Sequence, residues 1–161
     1  MSADVLVVVG VGGMGEVMVQ SFGADHRVLL ADVDPEVLEA TAARLAEAGF
    51  DVTPLEVDVA DPASVRDLAS AAAALGPVRS LAHTAGLSPV QASAERIVAV
   101  DLLGVAYVLE SFASVIAPGG AGVIISSNSG YLMGPLTADQ EEMCIRDRPS
   151  AVPHTPGSRT R

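Results

Sequence analysis

The sequence predicts an α/β fold organised as a doubly wound parallel sheet, and three observations carry that prediction. Short apolar runs alternate with helix-like stretches in the order βαβαβαβαβ through Ser127. The first run, Asp4 to Val9, is a continuous Val/Leu segment of the kind buried on both faces of a parallel sheet. A glycine-rich turn, Gly10-Val-Gly-Gly-Met-Gly15, follows it directly and opens a helix.

Each element has its own warrant. The first helix extends to about Phe22, and Val28 to Ala31 forms a second strand. Asp34-Pro35-Glu36 combines an N-cap acid, a proline in the first turn and another acid, so it starts a helix, which Gly49 stops. Val52 to Val57 is a third strand, and Asp61-Pro62 repeats the start signal for a helix ending near Gly76-Pro77. Val78 to Thr84 is a fourth strand, and Ala94 to about Ala117 reads as one long helix. Pro118-Gly119-Gly120 reads as a turn, and Gly122 to Ser127 as a fifth strand.

Composition narrows the function classes. Half of the 161 residues are hydrophobic and 18% are charged, which excludes a disordered chain. Twenty acids against nine bases give −11, a balance unsuited to nucleic acid or an anionic membrane surface. All nine bases are arginine, so no lysine-dependent mechanism is completed by these residues. The single cysteine, Cys144, forms no internal disulfide, and no basic segment precedes the first apolar run. The uncharged stretch Ser111 to Ala138 is broken by Pro118-Gly119-Gly120 and is polar at Ser126 to Ser129, so it is not a membrane span. A cytoplasmic protein is expected.

The character changes after Glu142. Residues 1–142 carry nineteen acids and five arginines, a net of −14, whereas residues 143–161 carry one acid and four arginines, a net of +3. The expected organisation is one α/β domain over 1–142 and a disordered tail over 143–161. The tail reads either as an ordinary flexible terminus or as non-native sequence, the second because Met143-Cys-Ile-Arg-Asp-Arg148 resembles the translation of a transposon end used in sequencing-library preparation.

The glycine turn satisfies GxGxxG through Gly10, Gly12 and Gly15, with Gly13 and Met14 between them. Placed after the first strand, the pattern predicts a Rossmann dinucleotide site. Gly10 gives the tight turn, Gly12 lets the pyrophosphate approach, and Gly15 lets helix and strand pack closely, with Met14 packing under the turn. Asp32 ends the second strand, where a carboxylate accepts both adenosine ribose hydroxyls and repels a 2′-phosphate. No arginine between residues 33 and 43 offsets that, so NAD is favoured over NADP. Asp58-Val59 follows the third strand, where an acid reaches the adenine amino group. Neither His26 nor His154 has partners at ligand spacing, so no metal site is expected, and His83 reads as a strand-end residue near the cofactor.

Three further segments resemble the short-chain dehydrogenase/reductase family. Leu81-Ala-His-Thr-Ala-Gly86 is similar to its strand-ending Asn-Asn-Ala-Gly, Val100-Asp-Leu-Leu-Gly104 to its helix motif V-N-L-x-G, and Val123-Ile-Ile-Ser-Ser-Asn-Ser-Gly130 to its fifth strand with the catalytic serine. The resemblance covers residues 4 to about 137. It implies that Thr84, Ala85 and Gly86 join Gly10, Gly12, Gly13, Met14, Gly15, Asp32, Asp58 and Val59 around NAD. It implies that Ser127 polarises the substrate oxygen, that Asp101 replaces the helix asparagine at a relay water, and that the parent assembles as a homo-oligomer acting on an alcohol or ketone.

The departures are also specific. The family writes its turn T-G-x-x-x-G-x-G, and Val9 stands where the first glycine belongs. His83 and Thr84 replace two asparagines. The family's Tyr-x-x-x-Lys pair has no counterpart, because Tyr107 and Tyr131 are followed at that spacing by Ser111 and Pro135. The resemblance therefore implies that 1–142 is an incomplete Rossmann dinucleotide-binding domain, truncated after about the fifth strand, which is left at an exposed edge. It also implies that the chain is inactive while its parent transfers hydride. The alternatives are a non-catalytic dinucleotide-binding module and a methyltransferase using S-adenosylmethionine.

Overall fold

The computed structural model describes residues 3–127 and 137–139. They fall into two units, one running through Ile125 and the other from Ser126 onward. The expected tail, 143–161, and the stretch Asn128–Gly130 of the fifth-strand motif lie outside the described residues, as does Cys144.

The first unit holds a five-stranded parallel sheet in the order β3-β2-β1-β4-β5. The strands are β1 (Asp4–Val9), β2 (His26–Asp32), β3 (Asp51–Glu56), β4 (Val78–His83) and β5 (Ile116–Ile124). Three helices follow the first three strands: α1 (Gly13–Phe22), α2 (Pro35–Glu47) and α3 (Pro62–Leu75). The doubly wound α/β class predicted from the alternation is the class observed.

β1 shows why a continuous apolar run suits a central strand. Val5, Val7 and Val9 pack with Leu29, Leu81, Val65, Leu68 and Phe112 on one face of the sheet. Leu6 and Val8 pack with Val28, Leu30, Val19, Leu38 and Leu45 on the other. Successive side chains point to opposite faces, so both sets must be apolar when helices cover both.

The helix-start signals act as expected. Asp34 Oδ1 accepts from the amides of Glu36 (3.0 Å) and Val37 (3.1 Å), and Asp61 Oδ1 accepts from the amide of Ala63 (2.9 Å). Asp34→Ala is expected to lower the urea midpoint by the equivalent of about 1 kcal/mol, the usual cost of a lost N-cap. Gly49 follows α2 with φ +95°, the left-handed residue that the stop signal required.

Two expectations are corrected. The helix expected over 94–117 is three pieces: α4 (Ala94–Ile97), a π-helical segment (Val98–Gly104) and α5 (Val105–Phe112). In the π-helical segment Asp101 Oδ1 accepts from the amide of Leu87, and Gly104 lies against Val59, where an added Cβ would sit 3.0 Å from Cγ2. Widened turns of this kind appear where a helix must serve local contacts rather than its own regular ladder.

The second correction concerns β5, which begins at Ile116 and includes the Pro118-Gly119-Gly120 stretch. Ile116 pairs with Val78 but Ala121 pairs with Ser80, so β5 advances five residues while β4 advances two. The predicted turn is therefore an outward excursion within a strand, with Gly119 at φ +81°. An edge strand tolerates this because one side has no partner to lose. Among the described residues β5 is that edge, with Val123 exposed.

Candidate cofactor site

The C-terminal ends of β1, β2 and β4, with the segment after β3, converge on one cleft of about 600 Å³. β1 lies between β2 and β4, so the strand order reverses direction there, which is where open α/β sheets bind ligands.

The glycine turn closes one side. Gly10 adopts φ +94°, and a Cβ on it would lie 2.4 Å from the Ala85 amide nitrogen. The position thus requires glycine both for its backbone and for the close approach of the β4 loop. A Cβ on Gly15 would lie 1.9 Å from Gly10 O, so Gly15 is the close-packing glycine. Gly12 and Gly13 have nothing within 4 Å of an added Cβ. Gly12 precedes α1 with no side-chain cap, so the first-turn amides have no competing acceptor from that residue. This open, uncapped approach fits an anionic pyrophosphate.

Asp32 anchors the turn. Its Oδ2 accepts from the amide of Val11 (2.8 Å) and its Oδ1 from that of Asp34 (3.0 Å). A carboxylate has about four lone-pair sites, so both oxygens retain capacity for ribose hydroxyls. Thr84 plays a role the sequence did not indicate. Its hydroxyl donates to Gly10 O (2.8 Å), tying the end of β4 to the glycine turn. The loop register is fixed further by the amides of Thr84 and Ala85, both donating to Val9 O.

Eight predicted residues line the cleft: Gly10, Gly12, Asp32, Asp58, Val59, Thr84, Ala85 and Gly86. Gly13, Met14 and Gly15 do not. Met14, expected under the turn, is instead 54% exposed in the first turn of α1. Val11 is the buried residue there, because the turn directs it into the α1–α2 side of the core. Asp101 borders the cleft through its bond to Leu87, and Ser127 belongs to the second unit.

Arg96 was missed. It lines the cleft and pairs with Asp58, its Nη2 lying 3.0 Å from Oδ2 and 3.2 Å from Oδ1. No spacing rule marks an arginine three residues past a Ser93 cap as a partner for an acid 38 positions earlier. Val33 and Val37, apolar lining residues beyond β2, carry no motif either.

His83 is 1% exposed, and neither ring nitrogen has a hydrogen-bond partner among the described residues. It lies at the end of β4 between Val9 and Ile124, below the cleft rather than in its lining. Burial pushes its pKa below the ordinary 6.5, against a smaller upward pull from the Asp101 carboxylate. The unfolded chain therefore takes a proton at His83 before the folded chain does. Stability from this residue is whole above pH 6.5 and falls as pH drops below it, by at most about 1.4 kcal/mol per pH unit until the folded pKa is reached. Urea midpoints at pH 7.5 and 5.5 are expected to differ more for the wild type than for His83→Leu. Equal differences would show that His83 is not responsible.

A parallel sheet with a glycine turn and an acid at adjoining strand ends is the architecture of nucleotide-binding α/β proteins. A family model described as short chain dehydrogenase matches residues 4–138, and the chain belongs to that family. It is 38% identical over 133 residues to the short-chain dehydrogenase/reductase bsc3 of Alternaria brassicicola, covering 83% of this chain and 48% of that protein. The chain thus spans about half the length of the curated relative it matches. Among solved structures it resembles a short-chain dehydrogenase/reductase from Burkholderia phymatum in complex with NAD, with TM-score 0.72 and 27% identity over 90% of this chain and 57% of that one. It also resembles the F189W actinorhodin polyketide ketoreductase with NADPH, with TM-score 0.69 and 25% identity over 88% and 59% of the two chains. No helix among the described residues is long and apolar enough to cross a membrane.

Proposed function

We propose that this chain is the cofactor-binding portion of an NAD-dependent oxidoreductase that moves hydride between the nicotinamide and an alcohol or ketone. The observation that carries the reading is the Asp32 carboxylate at the head of the cleft, bonded to the glycine turn, with the one lining arginine, Arg96, paired to Asp58 rather than to Asp32. The bound dinucleotide supplies the hydride. The chain's own residues hold it: amides at Gly12 to Met14 for the pyrophosphate, Asp32 for the adenosine ribose, Asp58 and Val59 for the adenine, and the Thr84–Gly86 segment against the glycine turn. In the intact parent, Ser127 donates a hydrogen bond to the substrate oxygen and Asp101 holds a water for proton relay.

With no lysine in the sequence, the chain binds cofactor without turning over substrate. Its parent acts as a cytoplasmic homo-oligomer on a small molecule, without nucleic acid or membrane. The same missing lysine favours the second reading, a non-catalytic dinucleotide-binding module. Family membership leaves the methyltransferase alternative without support.

Fluorescence titration tests the cofactor reading. NADH is expected to bind at least about tenfold more tightly than NADPH, a difference of one repelled phosphate. Equal or tighter binding of NADPH would overturn the NAD preference, and no binding of either would overturn the site. Sequencing the source gene past Glu142 separates the readings, since a downstream Tyr-x-x-x-Lys makes the enzyme and a stop codon makes the module.

A further inference from the structure

The pairing of Arg96 with Asp58 has a use beyond the fold, and the argument for it rests on the dinucleotide reading above. Among the described residues lining the cleft, Arg96 is the one base, set against Asp32, Asp34 and Asp58. It comes from α4, whereas Asp58 follows β3, so the pair spans two separate elements of the wall. The two side chains are 43% and 36% exposed, and pairs this open add little to stability. Fold stability therefore does not account for the arrangement.

Geometry offers an account. Arg96 Nη2 contacts both oxygens of Asp58, and the amide of Ala60 donates to Oδ1 at 2.9 Å. These contacts on one edge fix the plane of the carboxylate. Oδ1 accepts from both groups, whereas Oδ2 accepts from Arg96 alone and keeps a lone pair for another donor. We propose that Arg96 is a positioning residue for base selection: it holds Asp58 so that Oδ2 reads the 6-amino group of adenine and rejects a 6-oxo purine. A 6-amino group donates to that oxygen. A 6-oxo group sets a second acceptor against it, leaving both unpaired at a partly desolvated site.

The test uses NADH and reduced nicotinamide hypoxanthine dinucleotide, which differ at the 6-position, titrated by fluorescence into the wild type, Arg96→Met and Asp58→Asn. The wild type is expected to prefer NADH by about tenfold or more, the discrimination of one well-placed hydrogen bond. Arg96→Met is expected to cut that preference to about threefold or less while leaving the unliganded melting temperature unchanged. Asp58→Asn, whose amide can turn either a donor or an acceptor to the base, is expected to cut it likewise, and it serves as the test should Arg96→Met fail to fold. A wild-type preference retained in Arg96→Met, or no preference in the wild type, overturns the inference while leaving the dinucleotide reading intact. Failure of the wild type to bind either compound overturns both.

Discussion

Asp32→Ala is expected to weaken NADH binding on the order of 100- to 10,000-fold, the largest effect of any single change in the cleft. The carboxylate has two tasks that fail together. It holds the turn by accepting from the amides of Val11 and Asp34, and Val11 is buried. Leaving a buried amide without an acceptor costs about 1–3 kcal/mol, so the turn shifts before any ligand arrives. The ribose then loses its charge-assisted partner, worth about 1.5–3 kcal/mol, and the two losses convert to the stated range. Asp32→Asn separates the tasks. Its amide oxygen still accepts from one backbone amide while the charge disappears, so NADH is expected to weaken less and NADPH to gain relative to it. Fluorescence titration of both variants with both dinucleotides measures this. An unchanged NADH affinity in Asp32→Ala would remove Asp32 from the site.

The elements were legible where a local signal coincided with the tertiary demand. β1 needed apolar residues on both faces and has them, and the Asp-Pro starts of α2 and α3 satisfy their own amides. Gly10, Asp32 and Asp58 were legible because a turn, a strand end and a loop each leave a residue-type signature at fixed spacing. Arg96 left none, because its partner is defined only once β3 and α4 are brought to the same cleft. Met14 was misplaced for a related reason: the pattern places it inside a phosphate loop, but only the path of the turn decides that Val11 goes inward. The β5 excursion was half legible. Pro-Gly-Gly marks a break in regular pairing, but sequence alone does not distinguish a loop between elements from a bulge within an edge strand. His83 shows the opposite case, a residue whose chemistry suggests a site and whose burial removes it from the cleft lining.

Gly10→Ala is the second large effect, and here it falls on stability. A positive φ of this size costs a residue with a side chain about 1–3 kcal/mol. The added methyl would also sit 2.4 Å from Ala85 N, 2.7 Å from Ala85 Cα and 2.9 Å from Thr84 C, all of them backbone atoms. Relief requires moving the loop that bonds to Val9 O and, through Thr84, to Gly10 O, at a further cost of about 1–3 kcal/mol. The expected total of about 2–6 kcal/mol is a large share of the 5–15 kcal/mol typical of a domain. Gly49→Ala is the internal control. Gly49 has nearly the same φ, +95°, with nothing within 4 Å of an added Cβ, so it carries the backbone cost without the clash. Urea unfolding of the two variants should therefore differ by the packing cost alone, and equal losses would show that the Ala85 contact does not constrain the turn. Gly12→Ala completes the comparison from the other side. Its Cβ meets nothing and its φ of −60° is ordinary, so its unfolding midpoint should match the wild type. The methyl would instead occupy the open approach to the first turn of α1, so the loss should appear in NADH affinity. That split, stability lost at Gly10 and binding lost at Gly12, is expected only if the first glycine shapes the turn and the second leaves room for the phosphates.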